Sequence, residues 1–258
     1  MKKNILIYII GIACVVTVSL GCAKFWGKGA LTIESFSSIS NTKRALVVLF
    51  PGFGGEGIYY EQQGCIEAMR ERGFDADILI LNVKPRIYIE NEIIEMMKTE
   101  IISPAKALGY KHIYLVGISM GGHGVLLYVT KYPEDIDAVL ILSPFISGPR
   151  QTNAIIEAGG IENWEHCPFV GWDQACRLWQ ALKVYTSDPE RCSNIFLGYG
   201  TEDVFVKECR VLAGLLPPEH VFTVPGKHNW TTWKKLWIIA MDYFKVLKAE
   251  RMKQQKTQ

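Results

Sequence analysis

The most chemically suggestive residue of the 258-residue chain is Ser119, centred in Gly117-Ile118-Ser119-Met120-Gly121. A serine hydroxyl is a weak nucleophile until a base takes its proton and a donor pair holds the oxyanion that forms. A G-x-S-x-G segment serves both needs when a strand precedes it and a helix follows. His112 to Val116 reads as a short apolar strand, and Gly122 to Lys131 is a helix-compatible run. The turn between them is so sharp that only small residues fit at Gly117 and Gly121. It holds the hydroxyl out at the end of a sheet and aims the Met120 N–H at an oxyanion.

Three other segments carry partners for such a serine. Upstream, the buried-strand run Ala45 to Phe50 breaks into Pro51-Gly52-Phe53-Gly54-Gly55. A glycine-rich turn at a strand's carboxyl end can present an N–H to developing negative charge, and Phe53 is the second donor expected beside Met120. The plainer reading is an ordinary strand-to-helix turn, where glycines are also common. Downstream, a strand ends at Gly198 to Gly200 and is followed by Glu202 and Asp203. A carboxylate there could fix a histidine tautomer; the alternative is a turn residue bonding its own backbone. Near the end, Val221 to Val224 reads as a last strand, and Pro225-Gly226-Lys227-His228 follows it. Of five histidines, His112 opens a strand, His123 sits on the helix after Ser119, His166 lies in a Trp- and Cys-rich insert, and His220 precedes the last strand. Only His228 stands in a loop between last strand and last helix, where a general base belongs.

The elements that must position these residues alternate along the chain. Strands are expected at 45–50, 77–81, 112–117, 138–143, 194–199 and 221–224, and helices around 57–72, 90–108, 121–131 and 232–250. The last has Trp233, Leu236, Trp237, Ala240, Phe244 and Leu247 at helical spacing. Such alternation implies a mostly parallel sheet with helices on both faces. Loops at the strand carboxyl ends then converge on one rim. The insert from Ser143 to Ser193, with Trp164, Phe169, Trp172, Trp179 and three cysteines, is a cap whose aromatics either line a pocket or form the cap's own core.

From about residue 44 to residue 248 the chain resembles the α/β-hydrolases, in which oxyanion loop, serine, acid and histidine follow in that order. Gly117-Ile118-Ser119-Met120-Gly121-Gly122-His123-Gly124-Val125-Leu126 is similar to serine esterases of the esterase D and S-formylglutathione hydrolase type, and to small carboxylesterases and thioesterases. The resemblance implies an α/β-hydrolase fold with a small cap insert at about 144–193, no cofactor, and a small ester or thioester substrate. It makes Ser119 the nucleophile, His228 the base and Asp203 the acid, since G-x-x-D-x-x-V is the usual form of that loop; Glu202 is then solvated. The chain departs from the pattern at Pro51, where many relatives have histidine before the oxyanion-loop glycine.

With 49% hydrophobic residues the chain can bury a sizeable core, and one domain over 44–258 accounts for its length. A formal net charge of +2 leaves no electrostatic footprint for nucleic acid. Lys2-Lys3, the apolar run Ile5 to Gly21, and Cys22 describe a secretory signal over 1–22. Val18-Ser19-Leu20-Gly21-Cys22 resembles a bacterial lipobox, which implies lipidation of Cys22 and a lipoprotein held on the envelope membrane through a tether at 23–43, in which Leu31-Thr32-Ile33 reads as one weak strand. Cleaved soluble secretion and an uncleaved signal anchor are the alternatives. An oxidising envelope would permit a disulfide among Cys167, Cys176 and Cys192. No C-x-x-C spacing or histidine set suggests a metal. The expectation is an envelope serine hydrolase working through an acyl-enzyme. The rivals are a non-catalytic binding scaffold on the same fold, and an acyltransferase or lipase with the same residues.

Overall fold

The structure, a computed structural model, describes residues 31–37, 45–54, 56–89, 92–165 and 173–255. The signal segment and Cys22 lie outside them. Seven strands form one sheet: β1 (Leu31–Ser37), β2 (Ala45–Phe50), β3 (Asp77–Val83), β4 (His112–Ile118), β5 (Ala138–Leu142), β6 (Ile195–Gly200) and β7 (Val221–Val224), in the order β1-β3-β2-β4-β5-β6-β7. All neighbours are parallel except β1, which pairs antiparallel with β3. The central strands read as unbroken Val/Ile/Leu runs because helices cover both their faces. One apolar core packs behind the helix that follows β4, and the other under the last helix.

The register sets where chemistry can happen. Phe50 pairs with Gly117, Ile118 with Leu142, Leu142 with Gly198 and Gly200 with Val224. The strands that carry the expected site residues therefore end side by side, and the loops leaving them share a rim.

Several elements differ from the expectation. The weak strand expected at Leu31 to Ile33 is a full edge strand, β1, reaching Ser37 with a bulge between Ile33 and Ser35, so the sheet begins inside the stretch expected to be tether. The helix expected at 57–72 is two pieces, Tyr59–Gln62 and Cys65–Glu71, parted at Gly64 with φ +73°. The region around 90–108 holds Glu92–Met96, a wide π turn at Met97–Ile102 and Ser103–Ala107. Helix Val206–Ala213 was not anticipated. The insert contains helices Pro149–Glu157, Asp173–Thr186 and Pro189–Cys192, and its Trp164 and Trp179 are buried in the larger core. Cys176 is disulfide-bonded, whereas Cys192 is a free thiol that donates to the Leu215 carbonyl. Among the described residues no helix is long and apolar enough to cross a membrane.

The helix after β4, Met120–Lys131, is tied at its far end by Asp135. Tyr128 Oη donates to Asp135 at 2.6 Å, and Lys98 and Lys106 each reach it at 2.6 Å. Burial alone would raise this carboxyl's pKa, but these donors outweigh it and hold it below the usual carboxylate value. A depressed folded pKa means stability that is present above the unfolded value of about 3.9 and is lost as pH falls through the folded one. Asp135→Asn is accordingly expected to melt below the parent at pH 7, with the gap closing at pH values well under 4, as thermal melts across pH would show.

Candidate active site

Ser119 sits between β4 and the helix Met120–Lys131 with φ 54° and ψ −117°, a backbone conformation rarely adopted by any residue with a Cβ. Its surroundings hold it there. The Ser119 N–H donates to the Leu142 carbonyl at 2.9 Å, and its carbonyl accepts from His123 at 3.2 Å and Phe145 at 3.1 Å. The flanking glycines are required by contact. A Cβ on Gly117 would stand 2.4 Å from the Gly121 carbonyl oxygen, and one on Gly121 would stand 2.4 Å from that of Phe50. Both obstacles are backbone and cannot swing aside.

The structure brings Ser119, His228 and Asp203 together, from three loops spread over more than a hundred residues. His228 Nε2 is 2.9 Å from Ser119 Oγ, and His228 Nδ1 is 2.9 Å from each Asp203 carboxylate oxygen. This spacing leaves Nδ1–H as the donor to the carboxylate and Nε2 as the acceptor for the serine proton. The imidazole packs edge to face with Phe205 at 4.8 Å and Trp233 at 4.9 Å, which restrict its rotation. Asp203 has a fully buried side chain, and Glu202 beside it is exposed. Burial works against the Asp203 charge. The bonds from His228 and from the Phe205 N–H (2.9 Å) overcome it and hold the pKa below the ordinary carboxylate range. The buried Ser143 hydroxyl also lies on this side and favours the charge, although its orientation makes no hydrogen bond of normal geometry.

The acid and histidine loops are fastened to each other. Thr201 N–H donates to Val224 and Glu202 N–H to Gly226, at 2.9 and 3.0 Å. Asn229 Oδ1 accepts from the Thr232 N–H at 3.1 Å and so caps the last helix, Trp230–Gln255, directly after His228.

An open cleft of about 390 Å³ lies over Ser119 and His228. Gly52 and Phe53 of the glycine-rich loop form one side, and Tyr59, Phe205, Trp230 and Trp233 supply aromatic wall. The cleft's aromatics thus come from the segments that also hold the site, and not from the described tryptophans of the insert. Phe169 and Trp172 lie outside the described residues. The lining role of Trp233 was missed because its spacing with Leu236 and Trp237 reads as core; its place one turn after His228 was the available signal. The remaining described histidines are placed elsewhere. His112 pairs with Asp137, His220 stacks on Phe196 at 4.2 Å, and burial pushes the His123 pKa down to about 4. Among the described residues no cluster of three or more His, Cys, Asp or Glu could hold a metal.

A mostly parallel sheet with serine, carboxylate and histidine on the carboxyl-end loops of β4, β6 and β7 is an α/β-hydrolase fold. Residues 86–242 match the family model described as "Putative esterase", which spans more than half of the chain. The chain belongs to this esterase family and is a serine hydrolase of carboxylesterase type. No curated protein matches it in sequence. Among solved structures it is similar to an S-formylglutathione hydrolase from Staphylococcus aureus, with a TM-score of 0.55, 12% identity, and 85% of this chain and 99% of that one covered. Est1E from Butyrivibrio proteoclasticus, solved with ferulic acid bound, gives 0.55, 16%, 85% and 96%. A carboxylesterase from the thaumarchaeon Nitrososphaera gargenis gives 0.57, 14%, 87% and 98%. At these identities the likeness is one of fold.

Gly200 offers a way to loosen the relay without touching it. A Cβ there would meet the Gly226 carbonyl oxygen at 2.3 Å and Thr232 Cγ2 at 2.9 Å, forcing the acid and histidine loops apart. Since an ångström of misplacement can cost about a hundredfold in rate, Gly200→Ala is expected to lower kcat on p-nitrophenyl acetate by more than about tenfold. Steady-state kinetics beside a thermal melt would check that the loss exceeds any loss of folded protein.

Proposed function

We propose that the protein hydrolyses a carboxylic ester or thioester through an acyl-enzyme on Ser119. The observation that carries this reading is the continuous hydrogen-bonded line from Ser119 Oγ through His228 to the buried, charged Asp203. His228 Nε2 takes the serine proton as Oγ attacks the carbonyl carbon, then gives it to the departing alcohol or thiol. Asp203 keeps the imidazole in the tautomer this needs and stabilises the imidazolium. The amides of Met120 and Phe53 receive the oxyanion, each donor worth on the order of 3 kcal/mol to the transition state. A water molecule, activated by the same His228, then attacks the acyl carbonyl and releases the acid. Phe53 lines the cleft beside Ser119, which supports its place in this scheme.

The substrate is a small molecule, in keeping with an open, aromatic-walled cleft of modest volume. The location proposed is a bacterial envelope membrane, on its periplasmic or surface side, with lipidated Cys22 as the anchor; Lys2-Lys3, the apolar run after them and the residues up to Cys22 support it.

The protein lacking residues 1–22 is expected to be labelled by a fluorophosphonate probe, and its Ser119→Ala variant is not. Short p-nitrophenyl esters are expected to turn over with kcat lowered at least about a thousandfold in Ser119→Ala and in His228→Ala. A folded parent that neither labels nor turns over would point instead to a binding scaffold.

A further inference from the structure

We infer that Tyr88 and Tyr60 are positioning residues for the oxyanion loop: their hydroxyls fasten two successive carbonyls at the end of β2 and so set the direction of the amides that follow. The inference rests on the serine-hydrolase reading above. Tyr60 Oη donates to the Phe50 carbonyl at 2.8 Å, and Tyr88 Oη donates to the Pro51 carbonyl at 3.2 Å. Both tyrosines are fully buried, and they approach from opposite faces of the sheet, Tyr88 within the core behind the serine helix and Tyr60 within the core under the last helix.

The sheet reaches the Phe50 carbonyl but stops short of the Pro51 carbonyl. The β2–β4 ladder ends at the pair Phe50 and Gly117, and Pro51 has no N–H with which to extend it. A Pro51 carbonyl left there without a donor would be costly to bury and free to turn. Every described peptide bond is trans, so the Pro51 carbonyl and the Gly52 N–H point in opposite directions. Fastening the first to Tyr88 fixes the second, and with it the course of the chain through Phe53. The Phe50 carbonyl, where the ladder ends, gains a further donor in Tyr60 and is held the more firmly one residue earlier.

Tyr88 also couples this loop to the serine. Its ring lies against Gly124 on the helix that Ser119 opens, where a Cβ would come within 2.6 Å of Tyr88 Cε1. A glycine in a helix interior is unfavourable by up to about 1 kcal/mol relative to alanine, and here it admits the ring that reaches on to Pro51. Both phenols are pushed well above their ordinary pKa by burial, so they remain donors throughout the neutral range. A tyrosine used only to fill space would serve equally well as phenylalanine, which makes the hydroxyl the part to remove.

The test compares Tyr88→Phe and Tyr60→Phe with Tyr128→Phe, which deletes a buried hydroxyl bonded to Asp135 and leaves the loop alone. Each is assayed on p-nitrophenyl acetate for kcat and KM, and against a trifluoromethyl ketone. In that adduct Ser119 Oγ bonds to the ketone carbon, the serine proton passes to His228, and the former carbonyl oxygen becomes the oxyanion. Tyr88→Phe is expected to lose about ten- to a hundredfold in kcat at nearly constant KM, with the ketone inhibition constant weakened by a similar factor. Tyr60→Phe follows in the same direction, and Tyr128→Phe stays within about twofold of the parent. Parent-like kcat in both loop variants would overturn the inference. So would losses that track the melting temperature or fall equally on Tyr128→Phe. If one loop variant fails to fold, the other decides. A parent inert to both substrate and fluorophosphonate would instead sink the underlying hydrolase reading, a distinct result.

Discussion

Everything at this site depends on one residue held in a conformation it would not choose. Ser119 at φ 54° and ψ −117° stores strain of order 1–3 kcal/mol, which the surrounding structure must offset. It does so with the hydrogen bond that Ser119 donates to Leu142 and those it accepts from His123 and Phe145, and with two glycines that let the helix start against the ends of β2 and β4. The return on that strain is geometric. The serine oxygen stands clear of the sheet at the helix N-terminus, where unsatisfied N–H groups and the helix dipole favour negative charge.

A second constraint follows from where β6 and β7 end. Their loops approach so closely at Gly200 and Gly226 that no side chain fits between, and backbone bonds fix them together. Asp203 and His228 are thereby presented as a pair. The carboxylate is shielded from water but supplied with donors, so it remains charged, and the imidazole is held between Phe205 and Trp233. A serine, a histidine and an aspartate fall into one hydrogen-bonded line because the backbone beneath them leaves each side chain little freedom.

How much of this could be read in advance depended on the range of the interaction. The elbow was legible because its physics is local: strand, glycine, serine, glycine and helix are neighbours in sequence. The central strands were legible because burial on both faces makes them continuous apolar runs. Reading was weaker where distant contacts decide. Strand β1 shows in sequence only as the weak run Leu31 to Ile33 inside a linker-like stretch, since its pairing with β3 is what carries it on to Ser37. Helix Val206–Ala213 was hidden behind the loop that supplies Asp203, and its Glu208 is spent on the backbone N–H groups of Ile146 and Ser147, a long-range bond that no local pattern announces.

Taken alone, the amino-acid sequence determined which residue types stand at the ends of which strands, and therefore the class of fold and the three side chains worth testing. Gly-x-Ser-x-Gly, the acidic pair after Gly200 and the single histidine between the last strand and the last helix are all properties of short stretches. Only the tertiary structure decided that Asp203 is buried while Glu202 is exposed, and that Trp230 and Trp233 wall the cleft while Trp164 and Trp179 fill a core. Tyr60 and Tyr88 reach the carbonyls of Phe50 and Pro51 from opposite faces for the same reason. Periodicity along a chain reports that a face will be buried. What it is buried against is set by sheet order and register, which bring together residues that sequence keeps apart.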